Sequence, residues 1–466
     1  MGDDIDTIDN DHRSGIRPGM VQPVLLGRNK LLHRWLGPVE GLKRQLATDM
    51  ASTFMLSLTQ KMLMLVASIL LARLMRPHNY GVYAAIMAAV TLVGVPASLG
   101  LPILAVREMA AYRACKEWAL MKGVLIRSIQ IMSGPLLLLA LLIWMLEPWF
   151  SRSSDFNVTL IWTAFTLLLL TQFGALRGAI LRGLHHVILG LAPEMVIAPL
   201  ILIFGIGTWA LCIHTPLTPL IAVLMRLGGA SAAFLIGGVW LWRRLPAPMQ
   251  EVSARYQTAH WPAAVGPLAL VSSLSVVTAQ TDVVMLTVLK GPTAAGIYQV
   301  ASRGAELVAF AVTISSLALQ PTLARLHVAG ELQRLRRVAM RTAWIMFSGA
   351  LCAAIVFIVA GQTLLVHIFG SSYTPAALPL GILSGGWVLI TVFGPGRDTL
   401  LMTGGERVVA LIVVLSSIAN VILNLLLIPM AGPEGAAVST VASLVGCQLG
   451  YALGVYKRLG IRVMIA

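Results

Sequence analysis

The sequence predicts an all-α polytopic membrane protein of about twelve transmembrane helices, in two parallel six-helix repeats around a central cavity. Three observations carry that expectation. Of 466 residues, 58% are apolar and 11% charged, about half the charged share of a soluble globular chain. The apolar residues fall in blocks of about 20, the length a helix needs to span a bilayer. A short motif then recurs 215 residues further on.

The blocks lie near 51–72, 80–101, 124–146, 158–176, 187–211, 218–241, 262–288, 296–320, 343–368, 376–396, 408–429 and 435–456. Lysine and arginine set their orientation, because cations are retained on the cytoplasmic side. With the N-terminus cytoplasmic, 26 of the 34 cations fall on that side, and only Arg73, Arg76, Arg152 and Lys290 on the other. Both termini are therefore expected inside. The net charge of +15 then describes topology and contact with anionic membrane lipids; no polar stretch is large enough for a nucleic-acid-binding domain.

The expected organisation is a cytoplasmic tail (1–50), an N-terminal lobe (51–243), a cytoplasmic linker (244–261), a C-terminal lobe (262–456) and a cytoplasmic C-terminus (457–466). In the tail, Leu31, Leu32, Trp35, Leu36, Val39, Leu42 and Leu46 recur near helical spacing among basic residues, the pattern of an interfacial amphipathic segment. No cleavable signal peptide is expected, since no apolar run precedes Ala51.

The repeat pairs Pro77, Gly81 and Tyr83 with Pro292, Gly296 and Tyr298, and Thr171 to Arg177 with Thr391 to Arg397. A shift of six helices preserves orientation, so the halves are parallel repeats. The glycine and tyrosine pairs read most simply as turn glycines and interfacial tyrosines.

No enzyme motif is present. Gly205-Ile206-Gly207 lies inside a spanning block with no strand before it, and there is no nucleotide-binding motif, so no cofactor is expected. The four cysteines have no ligand or disulfide spacing and read as small core residues.

Charges inside spanning segments carry the chemistry, because each costs a few kcal/mol unless it faces protein or water. Lys61 sits mid-helix on a face with Ser57. Ser272, Ser275, Thr278 and Asp282 form a polar stripe, and Gln299, Arg303 and Glu306 share another face. Bland readings stand beside these. Arg303 and Glu306 could satisfy each other at i,i+3, Asp282 could be a structural partner of a cation, and Arg226 could pair with Glu194. Arg177 and Arg397 could be snorkelling cations or phosphate ligands. The surplus of intramembrane cations suits an anionic substrate, since Arg and Lys pair strongly with phosphate. The candidate substrate-binding set is Lys61, Arg303, Arg226, Arg177 and Arg397; the candidate ion-coupling set is Asp282, Glu306 and Glu194, for H⁺ or Na⁺.

Several runs resemble a known family. Asp282-Val283-Val284-Met285-Leu286 followed by Gly296-Ile297-Tyr298-Gln299-Val300-Ala301-Ser302-Arg303, Leu71-Ala72-Arg73-Leu74 leading to Tyr80-Gly81-Val82-Tyr83, Val106-Arg107-Glu108, and Asn420-Val421-Ile422-Leu423-Asn424 with Ile428-Pro429 are similar to the polysaccharide transporter (oligosaccharide flippase) family of the multidrug/oligosaccharidyl-lipid/polysaccharide exporter superfamily. The resemblance implies two six-helix lobes, alternating access, and translocation of a polyprenyl-diphosphate-linked oligosaccharide across the bacterial inner membrane for O-antigen, capsule or exopolysaccharide, with a polysaccharide polymerase complex as a partner. The rival readings are a multidrug/cation antiporter of the same superfamily, a peptidoglycan lipid-precursor flippase, and a non-transporting scaffold of a glycan synthesis complex.

Overall fold

The computed structural model describes residues 39–150, 155–213, 215–258, 261–461 and 463–465, which are helical almost throughout and contain no strand. The chain divides into two compact units, Met1–Phe54 and Met55–Ala466; the contacts described here lie within the second. Residues 1–38, including Leu31, Leu32, Trp35 and Leu36, and the side chains of Val39, Leu42, Leu46, Ser272 and Ser275, lie outside the described set.

The first half of the chain forms α1 (Val39–Leu74), α2 (Pro77–Ala97), α3 (Leu101–Cys115), α4 (Trp118–Phe150), α5 (Val158–Gly183), α6 (Val187–Cys212, with one π turn at Pro193–Ile197), α7 (Pro219–Arg244) and the short α8 (Ala247–Glu251). The second half forms α9 (Trp261–Lys290), α10 (Pro292–Val328), α11 (Leu332–Val359), α12 (Gly361–Ile368), a 3₁₀ turn at Ser371–Ala376, α13 (Ala377–Val392), α14 (Gly396–Met402) and α15 (Glu406–Leu459). Among the described residues nine helices are long and apolar enough to cross a membrane. Helix starts follow local chemistry: α2, α7 and α10 carry proline in the first turn, where its missing N–H costs nothing. Asn157 caps α5 by accepting from Leu160 N.

Several boundaries differ from the hydropathy blocks, three of them with consequences for the fold. The second block ends at Ala97, where Leu99 (φ 50°) and Gly100 (φ 67°) turn the chain into the unanticipated α3. The block 343–368 breaks at Ala360 into α11 and α12. The last two blocks are one 54-residue element, interrupted at Gly432 (φ 57°, ψ −127°). Its arms run antiparallel: Ser416 Oγ donates to the Ser443 carbonyl at 2.9 Å, and Gly450 lies against Ile412.

The repeated motifs meet. A methyl group on Gly81 would overlap the Pro292 carbonyl, and one on Gly296 would overlap the Pro77 carbonyl. His78 and Thr293, also 215 apart, face each other at 3.4 Å. These glycines are therefore close-approach positions inside α2 and α10, not turn residues. Tyr83 and Tyr298 are buried, at 8% and 3% exposure, and not interfacial. The same end of the bundle is sealed by Arg73, whose Nε donates to the Ile368 carbonyl at 2.6 Å and Nη2 to that of His367, and by Tyr373, whose hydroxyl donates to the Met75 carbonyl at 3.2 Å.

The cysteines are a further correction. Cys115, Cys212 and Cys352 are exposed and Cys447 is half-buried. A thiol is apolar enough to lie on the outside of a membrane protein, so its side chain does not require the core.

Candidate substrate and ion sites

The α10 sequence places Gln299, Arg303, Glu306 and Phe310 at spacings of four, three and four, on one helix face. Arg303 Nη1 donates to both Glu306 oxygens at 2.9 and 3.0 Å. With its carboxamide oxygen turned inward, Gln299 accepts from Arg303 Nε and Nη2 at 3.1 Å. The i,i+3 pair is therefore formed, yet Arg303 is only half-buried, and Glu306 is 56% exposed.

Two further cations converge from other helices. The exposed ammonium of Lys61 on α1 lies 5.6 Å from the centre of the Phe310 ring, within cation–π range. One turn on from Lys61, Met64 takes the Arg226 guanidinium of α7, Nη1 to Sδ, at 3.1 Å. Arg226 and Arg303 both lie in the electrostatic neighbourhood of Tyr83 on α2, and Arg303 in that of Tyr80. Three helices thus contribute three cations and one carboxylate to one region, with Tyr83 of α2 near both arginines, and Phe310, beside Lys61, lies about 10 Å along α10 from Arg303. A cluster of this kind can hold a polyanion through several charge-assisted hydrogen bonds.

Arg177 and Arg397 stand apart from this cluster and from each other. Arg177 on α5 is 5% exposed; its Nη1 donates to the Ala233 and Phe234 carbonyls at 2.7 Å, and its Nη2 to Glu194. Gly237 leaves room for the guanidinium and Gly174 for the carboxylate, since a methyl at either would crowd them. Glu194 therefore pairs with Arg177, not with Arg226, because the π turn of α6 presents it toward α5. Arg177 is not a snorkelling residue. Arg397 is exposed at the start of α14; its neighbour Asp398 is buried and accepts from Gln320 Nε2 at 3.1 Å. The repeat partners differ because α5 runs unbroken to Gly183, whereas α13 ends at Val392 and the chain turns at Gly394.

Asp282 on α9 is 3% exposed. It accepts from Tyr298 Oη at 2.7 Å, from Asn424 Nδ2 at 2.5 Å and from Thr440 Oγ1. Asn424 also donates to Asn420 at 3.2 Å, and its own Oδ1 is buried without a partner. Among the described residues no cation pairs with Asp282. One turn earlier, Thr278 contacts Ser417 at 2.7 Å. Besides Tyr298 of α10, the partners of Asp282 come from both arms of α15, and the sequence did not mark them as its partners. Their available signal was two asparagines four apart in an otherwise apolar helix. Met64, Tyr83 and Phe310 were missed for the opposite reason, being ordinary membrane residues until folded beside a cation.

A multi-pass helical bundle whose repeated halves pack on matched motifs, with polar clusters held inside apolar helices, defines the fold of a membrane transporter. About 85% of the chain overlays 94% of a multidrug resistance MATE family transporter of the MOP superfamily in an inward-facing conformation (TM-score 0.69, 14% identity). About 88% overlays 87% of the lipid II flippase MurJ in an inward closed conformation (TM-score 0.66, 13% identity). A MOP superfamily transporter from Pyrococcus furiosus, described as having a binding pocket of reverse polarity that suggests a different function, overlays over 94% of its length and 89% of this chain (TM-score 0.58, 12% identity). No curated protein sequence matches the chain. Residues 46–327 match the family described as polysaccharide biosynthesis protein, and the chain belongs to that family.

Proposed function

We propose that the protein is a flippase that carries a polyprenyl-diphosphate-linked oligosaccharide from the cytoplasmic to the outer leaflet of a bacterial inner membrane. The observation that carries this reading is the convergence of Lys61, Arg226 and Arg303 from both halves of the chain on one site. The diphosphate would take these cations while the prenyl chain stays in lipid, and rocking of the two lobes would expose the site to each side in turn. Cation-dominated chemistry suits a diphosphate and repels the organic cations of a multidrug antiporter. Membership of a polysaccharide biosynthesis family supports the saccharide cargo, released where a polymerase of the exported glycan could use it. The cation asymmetry of the sequence supports both termini being cytoplasmic.

Coupling is assigned to Asp282. A buried carboxylate with neutral donors, no paired cation among the described residues and the orphaned Asn424 oxygen beside it supports exchange of H⁺ or Na⁺. Glu306 and Glu194 are already committed to Arg303 and Arg177, so they are weaker candidates for that role.

The test is reconstitution of the wild type and a Lys61→Ala/Arg303→Ala variant in liposomes, following movement of a labelled polyprenyl-diphosphate sugar between leaflets. The double variant should lose most of the flux while remaining folded. Undiminished flux in it would overturn the cationic-site reading.

A further inference from the structure

A second basic site lies away from the three converging cations, at the sealed end of the bundle. A pocket of about 420 Å³ opens along the seam between the halves. Its first-half lining includes Arg73, Arg76 and Thr215, and its second-half lining Ser371, Ser372 and Tyr373. No carboxylate lines it. Arg73 already reaches across the seam to the carbonyls that end α12. The Arg76 guanidinium is exposed and, among the described residues, makes no hydrogen bond or ion pair; the Ser371, Ser372 and Thr215 hydroxyls likewise have no partner.

Two features distinguish this from ordinary surface charge. The topology assigns only four of 34 Lys and Arg residues to this side of the membrane, and two of them line this one pocket. The pocket also exists only while the two halves are together here, because each half supplies part of its wall.

We infer that the seam pocket binds an oxyanion, a phosphate or carboxylate group, which bridges Arg76 of the first half to the hydroxyls of the second. The guanidinium fork suits such a group, and serine and threonine hydroxyls complete its shell. Because the anion meets both halves only in the sealed state, its binding shifts the population toward that state. Anion on the far side would therefore favour the form whose other end is free to open. This site is independent of cargo binding at Lys61 and Arg303.

The test places spin labels at Leu211 and Val288, both highly exposed near this end, in a background lacking the four native cysteines, and measures their distance distribution in nanodiscs. One arm adds inorganic phosphate to zwitterionic phosphatidylcholine discs; the other replaces part of the lipid with phosphatidylglycerol and omits phosphate. The expected result is a shift toward the shorter distance in at least one arm. Phosphate alone acting assigns a soluble anion, and phosphatidylglycerol alone acting assigns a lipid headgroup. Arg76→Gln, at a side chain that holds nothing else together, should weaken the apparent affinity about tenfold, the loss of one charge-assisted contact. The Lys61→Ala/Arg303→Ala variant should keep the shift, so the result stands or falls separately from the flippase reading. No shift in either arm, or a shift of equal affinity in Arg76→Gln, would overturn the assignment.

Discussion

Gly81 and Gly296 stand face to face across the seam, each allowing the other's helix to come within backbone contact: the ideal Cβ position of Gly296 lies 3.0 Å from Gly81 N. The contact is reciprocal, with Pro292 opposite the first glycine and Pro77 opposite the second, so the sequence repeat is also a two-fold contact in space.

Alanine at either glycine should force α2 and α10 apart and lower stability by about 1–3 kcal/mol, the usual cost of overpacking a tight contact. Because one displacement relieves both overlaps, the double variant should cost less than the sum of the singles. Thermal unfolding in detergent reads this directly. Unchanged midpoints for Gly81→Ala and Gly296→Ala would show that the crossing is not close-packed in the membrane protein.

Arg177 should act on stability and not on cargo. Arg177→Met leaves Glu194 unpaired, at a cost of about 2 kcal/mol, below the figure for a fully buried pair because Glu194 is a third exposed. Gly237→Ala should give the same phenotype by expelling the guanidinium. Flux per folded molecule should stay near wild type in both variants; a selective loss of flux with normal stability would instead place Arg177 in the substrate path.

Asp282→Asn keeps the shape and part of the hydrogen-bonding capacity of the side chain while removing its charge. The variant should fold, and its flux should lose dependence on an imposed H⁺ or Na⁺ gradient. Measuring flux with the gradients collapsed and restored separates coupling from binding. A gradient response equal to wild type would remove Asp282 from the coupling role.

His186, in the connection between α5 and α6, gives a pH signature. Partial burial, with the positive charges of Arg244 and Arg113 and neighbouring His185, holds its imidazole below the usual 6.5. The unfolded chain therefore takes up this proton at higher pH than the folded one, so stability falls as pH drops below about 6.5. His186→Gln should flatten that slope on the acid side. A slope unchanged by the substitution would assign it to other groups.

Hydropathy and the 215-residue repeat made the helical transporter fold readable, because each depends on residue type and spacing alone. Lys61, Arg226 and Arg303 were readable as charges that a spanning helix must justify. Their companions Tyr83, Met64 and Phe310 were not, since nothing in an apolar side chain records which cation it will meet. Glu194 shows the limit most clearly: the sequence suggests Arg226 as its partner, and the structure gives it Arg177, through a π turn at Pro193 and a gap at Gly237. Asp282 was visible, whereas the hydroxyl and amide groups that hold it became a set only when α15 folded back on itself.

That fold-back also bears on how the protein is made. Between Arg407 and Lys457 the α15 hairpin contains no lysine or arginine, and its reversal runs through Gly432-Pro433-Glu434-Gly435 alone. Neither arm therefore carries a cationic orientation signal of its own at the turn. The orientation of both arms is therefore set by the cations at their outer ends, Arg407 on one and Lys457 and Arg458 on the other, which the hairpin brings to the same side.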